Sequence, residues 1–416
     1  MKILFITSRL PWPLDKGDRL RAFHQMRMLH QEHEVHLFSL TETQPSDSSL
    51  KAISQVTKSF RWYKMNSIKR IARLTLAALS TRPFQTHWFY QRQADQQLHE
   101  WIKELKPDVM YCQLIRMAEY VRNDHHTPRV LDYMDALSAG MNRRSNLCPF
   151  WYRWIYRLEA QRLAHYESVI FDYFDGQTII SKADRNLIAH PGRKSIAVIP
   201  NGVDSEFFKS TGTDIKAQPS NSPDEISPTQ FVILFTGNMS YPPNVDAAKR
   251  IVNEILPRVE MPGVRVVIAG TQPTAEVQKL ANEAVTVTGW IPDLRKAYEE
   301  ADVFVAPLRI GTGQQNKILE AMSMSLPCIT TMHVMNGLPK IGNLLPPLQL
   351  ADDVIETAKA IDILLDQKER RLKLGRESRL WIENHCSWEV QSAALKMSFV
   401  NSTIYKPEEA TWKIKK

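Results

Sequence analysis

A glycine-bounded turn followed by a short helical pattern carries the residues best suited to chemistry. Residues 306–331 read APLRIGTGQQNKILEAMSMSLPCITT, in which a predicted strand ends at Leu308 and a Gly-Thr-Gly turn covers 311–313. A helix is predicted from about Gln314 to Met324. Glycines let the backbone approach a ligand closely, and a helix N-terminus offers free N–H groups with a partial positive charge. Together these features favour binding of a diphosphate.

Three polar side chains share one face of this predicted helix. Asn316 and Lys317 lie in the first turn. Glu320 follows four residues after Asn316 and three residues after Lys317. The lysine could contact phosphate while the carboxylate accepts hydrogen bonds from sugar hydroxyls. The alternative is a glycine turn before a surface helix with an ordinary ion pair, and a short glycine motif alone does not separate the two.

Five ordered segments resemble one enzyme family. The stretch above closely resembles the G-x-G-x-x-x-K-x-L-E-A-M donor-site signature of the group 1 glycosyltransferases, which have the GT-B fold and usually retain the anomeric configuration. The other four segments are PNGVD (200–204), FTGNMSYPPNVDA (235–247), VTGWIPDL (287–294) and ADVFVAPL (301–308). Three further segments resemble the subgroup associated with exopolysaccharide and exosortase (PEP-CTERM) gene clusters: KGDRLRAF (16–23), LDYMDALS (131–138) and YRLEAQRLAHYE (156–167).

The resemblance implies a donor site for a nucleoside diphosphate sugar. Glu320 matches the glutamate that holds the donor ribose, whereas Thr312 replaces the other glutamate of the family's E-x7-E pattern. The family's Arg and Lys downstream of Gly237 are not found in GNMSYPPN (237–244), so we expect Lys317 to carry more of the phosphate charge. Trp290 could contact the nucleobase or be a core aromatic. The positions implied to bind the donor are Gly17, Gly237, Asn238, Gly289, Trp290, Gly313, Gln315, Asn316, Lys317 and Glu320.

The resemblance also places residues of the N-terminal half. The histidine that many members carry after the fourth strand falls on Asp135, so Asp135 and Glu320 are the candidate catalytic residues. Asp132 and Asp135 could instead cap or orient their loop. The residues assigned to the acceptor or phosphate side are Arg19, Arg21, Gln113 and Arg116.

The elements that must position these residues alternate between strand and helix patterns. The predicted strands of the first half are Ile3–Ser8, Glu34–Leu40, Asp108–Cys112, Arg129–Tyr133, Gly176–Ile180 and Ser195–Ile199. A helix is predicted from Arg19 to His30, and Ser181 is a possible helix cap. The alternation restarts with strands in 231–238, 265–270, 284–290, 302–308 and 326–331, followed by helical stretches near 352–366 and 368–384. This pattern predicts an α/β protein with two doubly wound, Rossmann-like domains and a cleft between them.

The domain boundaries follow from these patterns and from the resemblance. We predict an N-terminal acceptor-side domain over 1–204, a linker or loop over 205–230, and a C-terminal donor domain over 231–385. A C-terminal helix within 386–416 is expected to pack back on the N-terminal domain. The segment 209–230 is rich in Ser, Thr, Pro and Asp and has no periodicity.

Charge is distributed unevenly along the chain. The 416 residues carry a formal charge of +8, while residues 1–200 hold 29 Lys and Arg against 19 Asp and Glu, a balance of +10. This predicts an anionic partner, for which a phosphorylated substrate or an anionic membrane surface fits better than nucleic acid, since no nucleic-acid motif is present. Residues 61–82 contain six Lys or Arg and no acid, and 68–79 form either a membrane-docking or a core-packed amphipathic helix.

A second basic stretch is rich in aromatic residues. PFWYRWIY (149–156) is flanked by Arg143, Arg144 and Arg157. Its aromatic side chains could line an acceptor channel for a lipid-linked sugar, or they could pack in the core.

Other function classes find less support. No stretch of 18 apolar residues predicts a membrane span, and the four cysteines form no C-x-x-C pair. No D-x-D element or histidine cluster predicts a metal site, and we expect no cofactor. The sequence therefore predicts a cytoplasmic glycosyltransferase, either free or peripheral on the inner face of the cytoplasmic membrane, with a glycan or lipid-linked glycan as acceptor. A nucleotide-sugar epimerase and a non-catalytic nucleotide-sugar-binding relative are the alternatives.

Overall fold

The computed structural model describes residues 1–66, 73, 77, 80–209, 230–310, 314–342 and 344–404. The chain forms two compact units. The N-terminal unit comprises Met1–Pro200 together with the C-terminal segment from Gln391, and the C-terminal unit comprises Asn201–Val390.

The N-terminal unit contains a parallel seven-stranded sheet in the order β3-β2-β1-β4-β5-β6-β7. Its strands are β1 (Lys2–Thr7), β2 (Glu34–Thr41), β3 (Ser59–Lys64), β4 (Val109–Gln113), β5 (Arg129–Asp132), β6 (Gly176–Ile179) and β7 (Ala197–Val198). Every residue of β4 and β5 is buried, because helices cover both faces of a parallel sheet.

The helices of this unit alternate with its strands. They are α1 (Gly17–Leu29), α2 (Asp47–Ser54), α3 (Phe84–Phe89), α4 (Arg92–Leu105), α5 (Leu137–Leu147), α6 (Phe150–Phe171) and α7 (Lys182–Leu187), with 3-10 turns at Ile115–Tyr120 and Pro191–Ser195. Ser181 caps α7 by accepting a hydrogen bond from the Asp184 N–H, so the predicted cap is confirmed.

The C-terminal unit contains a parallel six-stranded sheet in the order β10-β9-β8-β11-β12-β13. Its strands are β8 (Phe231–Thr236), β9 (Val264–Ala269), β10 (Val285–Gly289), β11 (Val303–Ala306), β12 (Cys328–Thr330) and β13 (Gln349–Leu350). Its helices are α8 (Pro242–Arg250), continued by a π-helical turn at Ile251–Ile255 and a 3-10 turn at Leu256–Arg258, α9 (Ala275–Gln278), α10 (Leu294–Glu300), α11 (Asn316–Ser323), α12 (Met332–Met335), α13 (Val354–Asp366) and α14 (Lys368–His385).

The prediction of two doubly wound α/β units is confirmed, with differences at single elements. Strand β3 was not predicted, because its sequence SFRWYK lacks a continuous apolar run; its residues are half-buried or exposed, as on an edge strand. The two-residue β13 was not predicted either. The strand predicted over 195–199 is shorter, because a 3-10 turn occupies Pro191–Ser195 and leaves only β7.

The division between the units lies at Pro200 and Asn201, before the predicted boundary at residue 204. The reason is that residues after Pro200 bond to the C-terminal unit. The Val203 N–H donates to the Cys386 carbonyl at 2.8 Å, and Val203 pairs with Ser387 as an isolated parallel bridge. Gly202 packs directly on the backbone of Trp388, since a Cβ there would lie 2.7 Å from the Trp388 Cα.

The last described helix, α15 (Trp388–Ile404), contributes to the N-terminal core. Its Leu395 and Phe399 are fully buried, and the Phe399 ring meets the Tyr111 ring edge-on with centroids 5.5 Å apart. Residues 210–229 of the predicted linker 205–230, most of the predicted amphipathic helix 68–79, and the residues from 405 onward lie outside the described residues.

Candidate functional site

Three glycines end neighbouring strands at one edge of the C-terminal sheet. Gly237 and Gly270 directly follow β8 and β9, and Gly289 is the last residue of β10. All three have positive φ angles, of 151°, 144° and 69°. A Cβ on Gly270 would lie 1.8 Å from the Gly237 carbonyl oxygen, so only glycine permits these backbones to pack together. The carboxyl edge of this sheet therefore presents bare backbone, as ligand-binding edges of doubly wound sheets do.

Beside this edge, Gly237 also makes room for a polar pair. A Cβ at Gly237 would lie 2.7 Å from Asn244 Nδ2 and 3.2 Å from Lys317 Nζ. The Asn244 amide donates to the Asn238 carbonyl at 2.8 Å, and its Oδ1 accepts a hydrogen bond from Lys317 Nζ. Asn244 thus fixes the lysine ammonium group next to the backbone turn after β8.

The Lys317 ammonium group lies in a largely apolar setting. It is 4.7 Å from the centroid of the Phe235 ring, a cation–π contact. Although the residue retains some solvent contact, burial lowers its pKa to about 7, and the Glu320 carboxylate opposes this shift. An anion bound beside Nζ would favour the charged form, so the group is poised to respond to a diphosphate.

A tyrosine that the sequence analysis missed holds Glu320. The Tyr298 hydroxyl donates to Glu320 Oε2 at 3.0 Å and also bonds Thr236 Oγ1 at 3.0 Å. Burial raises the pKa of Glu320, whereas the Tyr298 hydrogen bond and Lys317 lower it. Tyr298 is itself 1% exposed, so it fixes the carboxylate rigidly beside the end of β8. No local pattern marks Tyr298, because its role depends on α10 packing against α11 and β8.

The start of α11 carries further predicted donor residues. Gln315 precedes the helix, and Asn316 is its first residue, with a buried Oδ1 that has no hydrogen-bond partner within the described part of the chain. Gln314 makes two hydrogen bonds to the Asn201 backbone, at 2.6 and 2.9 Å. These bonds fix the point where the loop enters the helix. Gly313 and Thr312 lie outside the described residues.

Two residues predicted near the nucleobase occupy the same sheet edge. Gly289 accepts a hydrogen bond from the Gly270 N–H at 3.0 Å through its carbonyl. Trp290 follows it and is 67% exposed, so the alternative that Trp290 is a core aromatic is wrong. Asn238 is also exposed, and its side chain binds the Ser240 N–H and hydroxyl instead of pointing freely outward.

In the N-terminal unit, the loops after β1 and β4 meet at the N-terminus of α1. Gln113 ends β4, and its amide donates to the Asp18 carbonyl at 2.9 Å. The Asp18 carboxylate pairs with Arg9 at 2.7 Å, and Arg19 pairs with Asp15 at 2.8 Å. Gly17 is exposed, and a Cβ there would meet nothing within 4 Å, so space does not require glycine at this position.

Arg21 does not lie on the predicted phosphate or acceptor side. It is fully buried, and its guanidinium contacts both Asp132 oxygens, at 2.7 and 3.2 Å, and the Ile199 carbonyl at 2.9 Å. Asp132 also accepts from the Thr178 hydroxyl and the Met134 N–H. Arg21 lies on the face of α1 that packs against the sheet, so its guanidinium is not available to a ligand. These contacts favour the alternative in which Asp132 orients its loop.

Arg116 and Asp135 occupy loops after the adjacent strands β4 and β5. Arg116 is half-buried over the Phe89 ring at 4.8 Å, and its Nε has no partner among the described residues. Burial and Arg9 lower its pKa to about 10, so it remains a cation at neutral pH. Although Asp135 is exposed, desolvation of its carboxylate and the nearby Asp184 raise its pKa to about 6, and Arg116 opposes this rise. Such a carboxylate can exchange a proton near neutral pH.

A cavity of about 330 Å³ opens beside Arg9 and Arg19. It lies beyond the ends of β1 and β2, and its lining includes Arg9, Trp12, Arg19, Thr41 and Glu42. Arg19 was predicted to lie on the acceptor or phosphate side, whereas Arg9, which precedes helix α1, was not predicted to be functional.

Neither a membrane-spanning helix nor a metal-binding cluster occurs among the described residues. No helix in the described ranges is long and apolar enough to cross a membrane. No group of three or more His, Cys, Asp or Glu side chains in those ranges is arranged to hold a metal ion. All four cysteines are free thiols, and Cys148 alone among them is not buried.

Comparisons with known proteins agree with the architecture. Over 96% of this chain and 100% of the other, the fold resembles Anabaena Alr3699/HepE crystallised with UDP, at 14% identity and a TM-score of 0.67. A glycosyltransferase from Rickettsia africae aligns over 97% and 99% of the chains, at 13% identity and a TM-score of 0.66. Sucrose-phosphate synthase from Thermosynechococcus elongatus aligns over 97% and 99%, at 14% identity and a TM-score of 0.64.

Comparison by sequence matches a smaller part of the chain than comparison by structure. No curated protein matches the chain. A family model described as glycosyl transferases group 1 matches residues 230–367, about a third of the chain. This match covers β8 to α13 and includes Gly237, Lys317 and Glu320. The chain therefore has the GT-B fold of two Rossmann-like domains, and its residues 230–367 match the group 1 glycosyl transferase family.

Proposed function

We propose that the protein is a glycosyltransferase that moves a sugar from a nucleoside diphosphate sugar to a hydroxyl acceptor. The observation that carries the proposal is the placement of Lys317 beside the bare backbone of Gly237, at the start of α11. A cation, a helix N-terminus and a glycine turn converge there. This is the combination that stabilises the negative charge developing on a diphosphate leaving group.

The roles of the donor residues follow from their contacts. Lys317 and the free N–H groups of α11 bind the diphosphate. The Glu320 carboxylate, held by Tyr298, accepts from hydroxyl groups of the donor ribose, and exposed Trp290 contacts the nucleobase. Anabaena HepE has been crystallised with UDP and with UDP-glucose, which makes uridine donors the first to test.

We propose that the acceptor binds to the N-terminal unit. Arg116 and Arg19 would bind an anionic acceptor, Gln113 would support their loops, and Asp135 would take the proton of the attacking hydroxyl. The pKa of about 6 suits Asp135 to this task, since the group is mainly a carboxylate at neutral pH. In the alternative, Asp135 only orients its loop.

The biological assignment rests on the ordered motifs. We propose a role in bacterial exopolysaccharide or other surface-glycan biosynthesis, with a glycan or lipid-linked glycan as acceptor and with retention of the anomeric configuration. The protein would act in the cytoplasm and associate peripherally with the inner face of the membrane. The basic N-terminal half supports an anionic partner of this kind.

A donor panel tests the proposed reaction. Purified protein is incubated with UDP- and GDP-sugars, with and without lipid-linked and soluble glycan acceptors, and the products are separated by mass and stereochemistry. Transfer of the sugar to an acceptor supports the proposal. Epimerisation of the donor sugar, or tight binding without any turnover, contradicts it in favour of an epimerase or a non-catalytic binder.

Replacing Glu320 by alanine should weaken donor binding by about 1.5–3 kcal/mol, the contribution of hydrogen bonds to a charged group. Titration calorimetry with the preferred donor measures the change. Glu369→Ala, which removes an exposed carboxylate at the first turn of α14, is the matched control and should bind as the wild type does. Unchanged affinity in a folded Glu320→Ala protein would rule out the ribose contact.

Transfer activity should survive chelation with EDTA. Lys317 and the N-terminus of α11 supply the positive charge at the diphosphate that a metal ion provides in metal-dependent transferases. The assay compares initial rates with EDTA and after addition of manganese or magnesium. Complete loss with the chelator, reversed by either metal, would show that a metal site has been overlooked.

A further inference from the structure

Four large aromatic side chains protrude from the tip of a helical hairpin in the N-terminal unit. Helices α5 and α6 pack along each other and are joined by Cys148 and Pro149. Phe150, Trp151, Tyr152 and Trp154, at the start of α6, are 74%, 57%, 52% and 65% exposed. Core packing, one of the two expectations for these aromatics, is therefore wrong.

The exposure surrounds the helix and is not confined to one face. The Phe150 and Trp151 rings nonetheless meet edge-on, with centroids 4.8 Å apart, so these exposed rings adjoin one another. The four rings together expose on the order of 400–500 Å² of mostly apolar surface. Patches of this size on soluble proteins mark interaction sites.

The charged residues in the segment around the tip are all basic. Residues 136–158 contain Arg143, Arg144, Arg153 and Arg157 and no Asp or Glu. Three of these arginines, Arg144, Arg153 and Arg157, are exposed and form no salt bridge within the described part of the chain. The tip therefore combines interfacial aromatics with unpaired cations, and it would meet an anionic, partly apolar surface without a repulsive carboxylate.

In the other basic segment, 61–82, three of the arginines have partners within the protein. Arg61 lies on β3 and pairs with Glu104 at 2.7 Å, and Arg82 pairs with Glu119 at 3.1 Å. Arg73 packs over the Tyr90 ring. These partners neutralise or cover part of the charge that was expected to face a membrane.

We propose that the aromatic tip at Phe150–Trp154 is the surface through which the protein docks on anionic phospholipid membranes. The inference rests on the membrane association included in the proposed function and gives it a location. Tryptophan and tyrosine are favoured at the level of lipid headgroups, where an apolar ring and a polar edge are both satisfied. The neighbouring arginines add attraction to anionic headgroups that salt screens over about 8 Å.

Vesicle co-sedimentation without sugar donor tests the docking surface. The full-length protein should sediment with phosphatidylcholine vesicles that contain phosphatidylglycerol, less so at high salt, and weakly with phosphatidylcholine alone. The double change Trp151→Ser and Trp154→Ser should lower the partition coefficient at least about tenfold. Changing Arg144, Arg153 and Arg157 to glutamine should lower binding to the anionic vesicles by a similar factor or more.

Matched variants test whether a loss of vesicle binding is specific to the aromatic tip. Ile355→Ser with Leu380→Ser removes two comparably exposed apolar side chains from α13 and α14 and should leave vesicle binding unchanged. Thermal unfolding and donor affinity verify that the tryptophan variant is folded. Because binding is measured without donor, failure of docking is distinguishable from failure of the transferase assignment.

A probe at the tip gives a second measurement. Cys148 is the one cysteine that is not buried, so a thiol-reactive, environment-sensitive fluorophore should attach there under native conditions. Its emission should shift to the blue when anionic vesicles are added.

Three results would each overturn the proposal. The first is absence of wild-type sedimentation at low salt. The second is wild-type binding by the tryptophan variant, combined with loss of binding when Lys69, Arg70 and Arg73 are changed to glutamine. The third is a concentration-dependent dimer that the tryptophan changes dissociate, in a protein that does not bind vesicles, since a second copy would then cover the tip.

Discussion

Lys317→Ala should reduce kcat/KM for sugar transfer roughly 100- to 1,000-fold, the usual effect of removing one preorganised group that stabilises developing negative charge. The ammonium group is fixed by Asn244 and lies beside Gly237, where the diphosphate is expected. Steady-state kinetics with the preferred donor measures the loss. Lys279→Ala, which removes an exposed lysine from the same unit, is the control and should retain full activity.

The same lysine predicts a pH dependence of donor binding. Its pKa is lowered to about 7 in the free protein, and a bound diphosphate should raise it. Below pH 7 the ammonium group is already charged, so affinity for UDP-glucose should be highest there. Above pH 7 binding must take up a proton, and affinity should fall until the pKa of the complex is reached.

Calorimetry in buffers of different ionisation enthalpy detects this proton uptake directly. Lys317→Ala should abolish both the proton uptake and the decline of affinity above pH 7. Persistence of either effect in Lys317→Ala would assign it to another group. If the wild type shows no pH dependence between 6 and 9, Lys317 does not contact the diphosphate.

Arg21→Met should destabilise the N-terminal unit by about 3–5 kcal/mol, the cost of leaving one member of a buried ion pair alone. Asp132 would keep its hydrogen bond from Thr178 but lose the guanidinium at 2.7 Å. The double variant Arg21→Met with Asp132→Asn should recover much of this loss, since no unpaired charge then remains buried. Calorimetric unfolding of the full chain measures the transition of this unit.

The control for this series is Arg92→Met, which removes an exposed arginine at the start of α4 and should leave the transition unchanged. Donor affinity of folded Arg21→Met should equal that of the wild type, because Arg21 has no access to ligand. A stable Arg21→Met protein with weakened donor binding would instead restore the phosphate-side role predicted from the sequence.

Several features of the site were predictable because they depend on local order along the chain. A glycine follows a strand at Gly237 and ends a strand at Gly289, and a strand, a turn and a helix place Lys317 and Glu320 on one face. The same signal, a glycine directly after a strand, was available for Gly270. Its importance emerged only from the 1.8 Å separation between its Cβ position and the Gly237 carbonyl oxygen.

Exposure could not be predicted from the sequence for aromatic residues. Trp290 and the PFWYRWIY segment have the composition of core residues, and burial depends on what packs against them from distant parts of the chain. The structure leaves Trp290 and the tip of α6 in solvent but buries Tyr298, which no motif marks.

The sequence by itself determined the two doubly wound domains, the positions of their main strands along the chain, and the segment that carries Lys317 and Glu320. These depend on hydrophobic periodicity and on short-range turn and helix chemistry, which neighbouring residues encode. Only the tertiary structure decided the partners of the charged groups. Arg21 meets Asp132 across 111 residues, and Lys317 meets Asn244 across 73, contacts that exist only once helices have packed on the sheets. Arg21, fully buried and paired with Asp132, is therefore structural, whereas Lys317, held by Asn244 beside Gly237, is the candidate ligand-binding residue.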